Sequence, residues 1–470
     1  MSAPASDAAS RVPASGVLVT ALAAAFGTAL LQGVGLLEAA LRADPVAGGS
    51  DAVAALLQTV GLVFVVVAVY ASAVVTTNTF AVVVAGRVER IALRRLLGAT
   101  ARSERRAVAR DGLVVGALGA GIGVVVGTAL VAALLVGGRL AGRLEGVDYS
   151  FLNPVALVPA AGVLLTTWLA AWIGSRRVLD VTPVQALGGA EERSDDEPRA
   201  SRPRTVVAVV LVALGALLLA AGVVLGAASS EGLLVAFWGG VVSFTGVVLG
   251  AHLVIPRALR LSGRLLGTSP TARLAAENAV RNPQRSTRST VGLLVSVTLV
   301  VTFATALTTF GGMVKTAAGD DPAYYAGIDA ALATTIAVFS ALIGFSAVIA
   351  GAGLVSSLSL GVLQRTRELG LLRALGFSAR QLRRLVLAEA GQLVLTAAAL
   401  GLLLGTVYGW AGAHALLGSA PGMPGAWYVA VPWQVAAAVV GGGLLLTIVA
   451  SVAPARRATR VSPVEALGAE

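Results

Sequence analysis

Ten stretches of this 470-residue chain gather apolar residues into blocks too long for the core of a soluble domain, at roughly 16–41, 52–80, 112–137, 151–174, 205–229, 232–255, 289–313, 330–358, 388–411 and 431–453. A helix needs about 20 mostly apolar residues to cross the ~30 Å hydrocarbon core of a bilayer. Each block is long enough to cross. The composition agrees, with 57% hydrophobic and 13% charged residues, where a soluble domain averages about 45–50% and about 25%. An all-α integral membrane protein of about ten transmembrane helices is therefore expected. The apolar run behind the polar N-terminus MSAPASDAASRVPAS exceeds a signal peptide's central region and lacks a convincing cleavage site. It is read as an uncleaved first span.

Charge sets the orientation. The formal net charge is +11, and the arginines lie between the apolar blocks in five segments, Arg87–Arg110, Arg176–Arg204, Arg257–Arg288, Arg365–Arg384 and Arg456–Arg460. The alternate loops are arginine-poor: near Asp44 and Asp51, Gly138–Ser150, Ser229–Glu231, Lys315–Asp329 and Ala411–Ala430. The positive-inside rule places the first set in the cytosol. A multi-pass plasma (cytoplasmic) membrane protein with both termini cytosolic follows, and a nucleic-acid partner does not. The chain has no cysteine, which removes disulfides, thiolate metal sites, Cys nucleophiles and a lipoprotein anchor. His252 and His414, far apart in sequence, are the only histidines. No metal or catalytic site is expected.

The chain also repeats itself. At an offset of 278 residues Asp51 falls on Asp329, each followed by 35 uncharged residues that end at Arg87 and Arg365. RVERIALRRLLGATARSERR then meets RTRELGLLRALGFSARQLRR. Leu93, Arg95, Leu97, Gly98, Arg102, Arg105 and Arg106 match Leu371, Arg373, Leu375, Gly376, Arg380, Arg383 and Arg384. Asp111 meets Glu389, Gly123 meets Gly401 and Gly127 meets Gly405; with a two-residue slip SRRVLDVTPVQALG meets ARRATRVSPVEALG, and earlier FGTAL at Phe26 meets FATAL at Phe303. Similar apolar composition explains matched leucines, but not matched arginines, glycines and tails in one order. Two parallel four-helix modules related by an axis along the membrane normal are expected, with an unpartnered two-helix hairpin between them. The divisions are 1–190 for the first module, 191–204 for a charged linker, 205–256 for the hairpin and 257–470 for the second module.

The repeated pieces suggest mechanical parts. Thirty-five uncharged residues in a helix would reach about 50 Å at ~1.5 Å per residue, so the second and eighth spans are expected to project into the cytosol as stalks. After each stalk, Leu369, Leu372 and Leu375 recur at helical spacing, Gly376 follows as a natural C-cap, and Ser378 can cap a second short helix carrying Arg380, Arg383 and Arg384. This reads as a helix–turn–helix elbow at the membrane face. The Thr182-Pro183 and Ser462-Pro463 tails fit capping boxes. Gly112, Gly116, Gly119, Gly123 and Gly127, with Gly401 and Gly405, suit close helix packing. Asp111 and Glu389 are placed at helix starts, where the macrodipole favours an acid. Mid-membrane acids and bases are scarce, which argues against an ion-coupled carrier.

There is no phosphate-binding loop: Lys315-Thr316 follows Val314 where a Walker motif needs Gly, on the expected outer side. ATP-driven work therefore requires a separate hydrolase, and the chain itself is not expected to be an enzyme. RTRELGLLRALGFSARQLRRLVLAEA resembles the signature of FtsX-like, MacB-type ABC permeases, LAAENAVRNPQRSTRST is similar to the segment before the first helix of such a module, and PARRATRVSPVEAL closes it. The second copy matches from about 272 to 470; the first matches from Asp51 on and lacks the Asn-Arg-Asn-Pro prelude. The resemblance implies a mechanotransmission arrangement. Segments 87–106 and 365–384 would couple to two cytosolic ATPase subunits through Arg90, Leu93, Arg95, Leu97 and Gly98, and through Arg367, Glu368, Gly370, Leu372, Arg373, Leu375 and Gly376. The ATP and Mg would be bound by those ATPases, with no cofactor in this chain. Membrane lipids are the other expected partner. The outer loops 42–51 and 314–329 are too short for an extracytoplasmic domain. Export of an amphipathic or lipid-like cargo from the bilayer is thus the leading expectation. The alternative is an FtsX-like transducer acting on an extracytoplasmic cell-wall enzyme or sensor.

Overall fold

The computed structural model describes residues 14–43, 63, 66, 69, 70, 99–142, 146–151, 157–175, 198–229, 231–267, 269–281, 283–318, 371–419 and 433–460. Every regular element among them is helical. The chain divides into two compact units, Met1–Asp196 and Glu197–Glu470. The first holds α1 (Ala14–Ala43), α2 (Ala101–Leu140) and α3 (Val158–Gly174). The second holds α4 (Pro198–Gly226), α5 (Gly232–Leu249), α6 (Ala251–Gly263), α7 (Pro270–Arg281), α8 (Pro283–Ala318), α9 (Ala379–Leu417) and α10 (Trp433–Arg460). A 3₁₀ turn, Arg264–Leu266, leads from α6 towards α7.

Six of these helices contain a segment long and apolar enough to cross a membrane: Gly16–Ala40, Arg102–Leu140, Arg202–Gly226, Gly232–Leu249, Ser289–Met313 and Ala379–Leu417. Val158–Ile173 and Trp433–Leu445 are shorter apolar helices. The expected spans at 330–358 and, but for four residues, 52–80 lie outside the described residues, and the two expected stalks with them. Val206, Val209, Val210, Leu217 and Val224 of α4 are exposed. A face of that composition suits lipid and would be costly in water.

Two helices are far longer than a bilayer requires. α2 has 40 residues and α9 has 39, about 60 Å each at ~1.5 Å per residue. Each starts at a hydroxyl cap. Thr100 Oγ1 accepts from Ser103 N–H at 3.2 Å. Ser378 Oγ accepts from Gln381 N–H at 3.3 Å, while Gln381 Oε1 accepts from Ser378 N–H at 2.8 Å, a complete capping box. The Ser378 cap was expected to open a separate short helix; it opens α9 itself. Residues 379–390 contain neither Gly nor Pro, so nothing interrupts the helical hydrogen bonds before the membrane is reached. Asp111 and Glu389 consequently lie about three turns inside their helices, well past the first turn to which the dipole effect is confined. The macrodipole explanation of these acids does not hold.

Small residues let the long helices approach closely. A Cβ on Gly123 of α2 would lie 2.4 Å from Ala24 Cβ of α1, and one on Gly405 of α9 would lie 2.6 Å from Val301 Cβ of α8. Gly119, Gly123 and Gly127 meet α1 near Thr20, Ala24 and Thr28, and Gly401, Gly405 and Gly409 meet α8 near Val297, Val301 and Thr305. The α4–α5 hairpin is built the same way, with Gly215 against Ser243 and Gly222 against Ala236. It is fastened within the second unit, where Ser243 Oγ donates to Tyr408 Oη of α9 at 3.0 Å and Gly226 packs on Ala415. Such small-residue seams with interhelical hydrogen bonds are how membrane helices associate when hydrophobic burial gives no advantage over lipid.

Candidate functional site

The elbow ahead of α9 is built from backbone hydrogen bonds. Residues 371–374 are helical. Leu375 N–H donates to Leu371 O at 2.9 Å, Gly376 N–H to Arg373 O at 3.0 Å, and Phe377 N–H to Leu372 O at 3.0 Å. The last two bonds, with φ +96° at Gly376, form a Schellman motif, in which a residue at positive φ lets the chain turn back over the last carbonyls. Only glycine reaches that backbone conformation without cost. Two residues later the capping box starts α9, so the reversal is closed on both sides.

The elbow is braced from one side. Leu382, Leu385 and Val386 of α9 form a buried cluster with Ala275 of α7, and Leu274, Leu372 and Ala388 pack around it. Ser269 Oγ accepts from Ala272 N–H at 3.3 Å at the start of α7, and Ala272, Ala275 and Ala279 give that helix a thin buried edge. The other side of the elbow faces outward. Leu371 is 51% and Leu375 72% exposed, and Arg380, Arg383 and Arg384 are exposed along the first turns of α9. Two exposed leucines and three exposed arginines thus fall within residues 371–384.

Of the residues singled out from the sequence, Leu372 faces the brace, Arg373 is half-buried, Leu375 is presented outward and Gly376 makes the turn. Arg90, Leu93, Arg95, Leu97, Gly98, Arg367, Glu368 and Gly370 lie outside the described residues. The sequence reading passed over Leu371 as an outward residue and α7 as the brace. The small residues Ala272, Ala275 and Ala279, at helical spacing within a polar segment, were the available signal.

The first unit braces its own long helix differently. Arg105, the counterpart of Arg383, stacks over the Trp172 ring at 4.5 Å, and its Nε donates to Ser175 Oγ at 3.3 Å. Arg105 is thus tied to the end of α3, while Arg102 and Arg106 are exposed. The two copies keep the same spacing from cap to seam: 23 residues separate Thr100 from Gly123 and Ser378 from its counterpart Gly401.

Both histidines are bonded to backbone carbonyls. His252 Nδ1 donates to Leu249 O at 2.9 Å with Thr205 Oγ1 3.3 Å from its Nε2, and His414 Nδ1 donates to Trp410 O at 3.0 Å. Among the described residues no three His, Cys, Asp or Glu side chains gather as a metal site would need. In the loop after α2, Tyr149 lies against Gly35 and edge-on to Phe151. Burial, and then the nearby Glu38 carboxylate, push its phenol above the ordinary value of 10.0. Glu38 itself pairs with Arg42.

Comparison with known proteins matches these features to one family. A family model described as FtsX-like permease C-terminal matches residues 62–183 and again residues 330–463, and a single model matching twice is what a duplication produces. The chain is also 30% identical over 142 residues to an uncharacterized ABC transporter permease, YknZ, of Bacillus subtilis (strain 168). That match covers 30% of this chain and 34% of the relative, so it spans about a third of the relative's length. With over half its residues inside the two matched regions, the chain belongs to the FtsX-like permease family.

Proposed function

We propose that this chain is the membrane permease subunit of an ABC transporter of the mechanotransmission type, driven by separate cytosolic ATPase subunits, two per chain. The elbow at Leu371–Ser378 carries this reading. It carries exposed Leu371 and Leu375 on a reversal locked by Gly376 and continuous with a 39-residue helix whose first turns bear three exposed arginines. A push on such an element passes along α9 and, through the Gly401–Gly405–Gly409 seam, to α8. The cargo in this proposal is amphipathic or lipid-like, entering from the bilayer, and the direction is export. The loops between the arginine-poor ends of the spans are too short to hold a folded cargo domain. ATP and Mg are held by the partner, and both termini are cytosolic.

The test uses the full chain and the ATPase that co-purifies with it. In nanodiscs, the ATPase should bind the native chain, and cross-linking from a single cysteine at Leu375 should reach the ATPase. Asp320→Cys should label from the outer side only. Absence of any ATPase contact at Leu375 in an assembled complex, or labelling of position 320 from the cytosol, would refute the proposal.

A further inference from the structure

Between the hairpin and the brace lies α6, whose function none of the foregoing assigns. Its surface falls into three sectors. Ala251, Ile255, Leu259, Ser262 and Gly263 are buried against the second unit. Next round the helix come exposed apolar residues, with Leu261 65% exposed and Val254 46%; Leu265, in the turn that follows, extends the stripe at 78%. Beyond them Arg257, Arg260 and Arg264 are exposed, and residues 251–266 include no Asp or Glu. At about 100° per residue, the arginines share one flank of the apolar stripe and the buried edge lies on the other.

The chain fixes the depth of this helix. α5 spans only 18 residues, Gly232–Leu249, about 27 Å at ~1.5 Å per residue, which leaves no slack beyond the hydrocarbon core. Its last carbonyl, at Leu249, is held by Arg204 Nε at 3.2 Å and by His252 Nδ1 at 2.9 Å, and α6 begins after the single residue Gly250. α6 must therefore start at the headgroup layer. A helix at that depth with one protein-facing edge, one apolar stripe and one flank whose exposed residues are all arginines matches the layering of a leaflet: protein, acyl chains, phosphates.

We propose that α6 is a binding site for anionic phospholipid, with Leu261 and Leu265 among the acyl chains and Arg257, Arg260 and Arg264 on the headgroup phosphates of the leaflet at the cytosolic end of α5. The site bears on α9. Gln392 Nε2 donates to Leu259 O at 2.7 Å and Ser262 Oγ lies 2.8 Å from Thr396 Oγ1, and Gln392 is fully buried. Lipid that holds α6 in the interface thereby holds the helix that carries the elbow. The lipid site itself rests on the membrane reading alone and needs no ATPase.

The experiment exploits the absence of native cysteine. Leu261→Cys carries an environment-sensitive fluorophore in vesicles doped with acyl-nitroxide phosphatidylglycerol or phosphatidylcholine. Quenching should be at least about threefold more efficient with the anionic lipid and weaken as salt is raised. The preference should vanish in Arg257→Gln/Arg260→Gln/Arg264→Gln and persist in the triple Arg→Lys variant, which keeps charge at the same positions. Equal quenching by both lipids with the native arginines, a preference surviving neutralisation, or no quenching by either lipid would each overturn the proposal. So would loss of the preference on adding inorganic phosphate at constant ionic strength, which would show a free-anion site.

Discussion

Gly376 offers the sharpest test of the elbow, because its role is separable from packing. Its φ is +96°, yet a Cβ built on it meets nothing within 4 Å. Adding a Cβ therefore costs backbone strain and no steric clash. An L-residue forced into the left-handed region loses roughly 1–2 kcal/mol, with asparagine at the low end and a β-branched residue at the high end or above. At about 1.4 kcal/mol per factor of ten, Gly376→Asn should weaken partner binding by no more than a few-fold. Gly376→Ala should weaken it by about 5- to 30-fold, a 1–2 kcal/mol effect, and Gly376→Val by more. Expression and membrane insertion should be unchanged, because the buried cluster of Ala275, Leu382, Leu385 and Val386 is untouched. Two assays run together: binding of the co-purifying ATPase to nanodisc-embedded chain, and amide hydrogen exchange at Gly376 and Phe377, whose N–H groups close the motif. Faster exchange in the order Asn, Ala, Val should track weaker binding. Full binding by Gly376→Val with accelerated exchange would show that the elbow's shape is not what the partner reads. Unchanged exchange would refute the strain argument itself.

Arg105→Ala should loosen the first unit's brace. A double-mutant cycle with Trp172→Ala should return a coupling of about 0.5–1 kcal/mol, measured by thermal unfolding in detergent, and additive losses would show that the stacked pair contributes nothing. Gly405→Leu would bring side-chain atoms against Val301 Cβ at 2.6 Å and Thr298 O at 2.8 Å. It should cut the yield of folded protein severely, whereas Gly412→Ala, where a Cβ meets nothing within 4 Å, should be near neutral; equal yields would contradict the seam. The raised phenol of Tyr149 makes the folded state favour the neutral form. Its contribution to stability is therefore complete below the unfolded value near 10 and is lost as pH rises through the higher folded value. Spectroscopic titration should show a late-ionising component that is lost in Tyr149→Phe, and an identical titration curve for the variant would exclude the shift.

Block length, charge alternation and repetition were enough to reveal a multi-pass helical membrane protein, because hydrocarbon thickness and the positive-inside rule act on sequence without needing tertiary structure. The Gly376 turn and the Ser378 cap were legible for a similar reason: backbone sterics and a capping hydroxyl act over a few residues. The length of α9 was not legible. Whether a cap opens a short helix or a 39-residue one depends on what covers Leu382, Leu385 and Val386, and that is α7, about a hundred residues earlier in the chain. The same limit applies to Arg105, whose match to Arg383 says nothing of Trp172, and to α6. Its arginines read as topology signals until the end of α5 fixed them at the headgroup layer. Local chemistry travels with the sequence, whereas the face a helix buries is settled only by the helix that arrives against it.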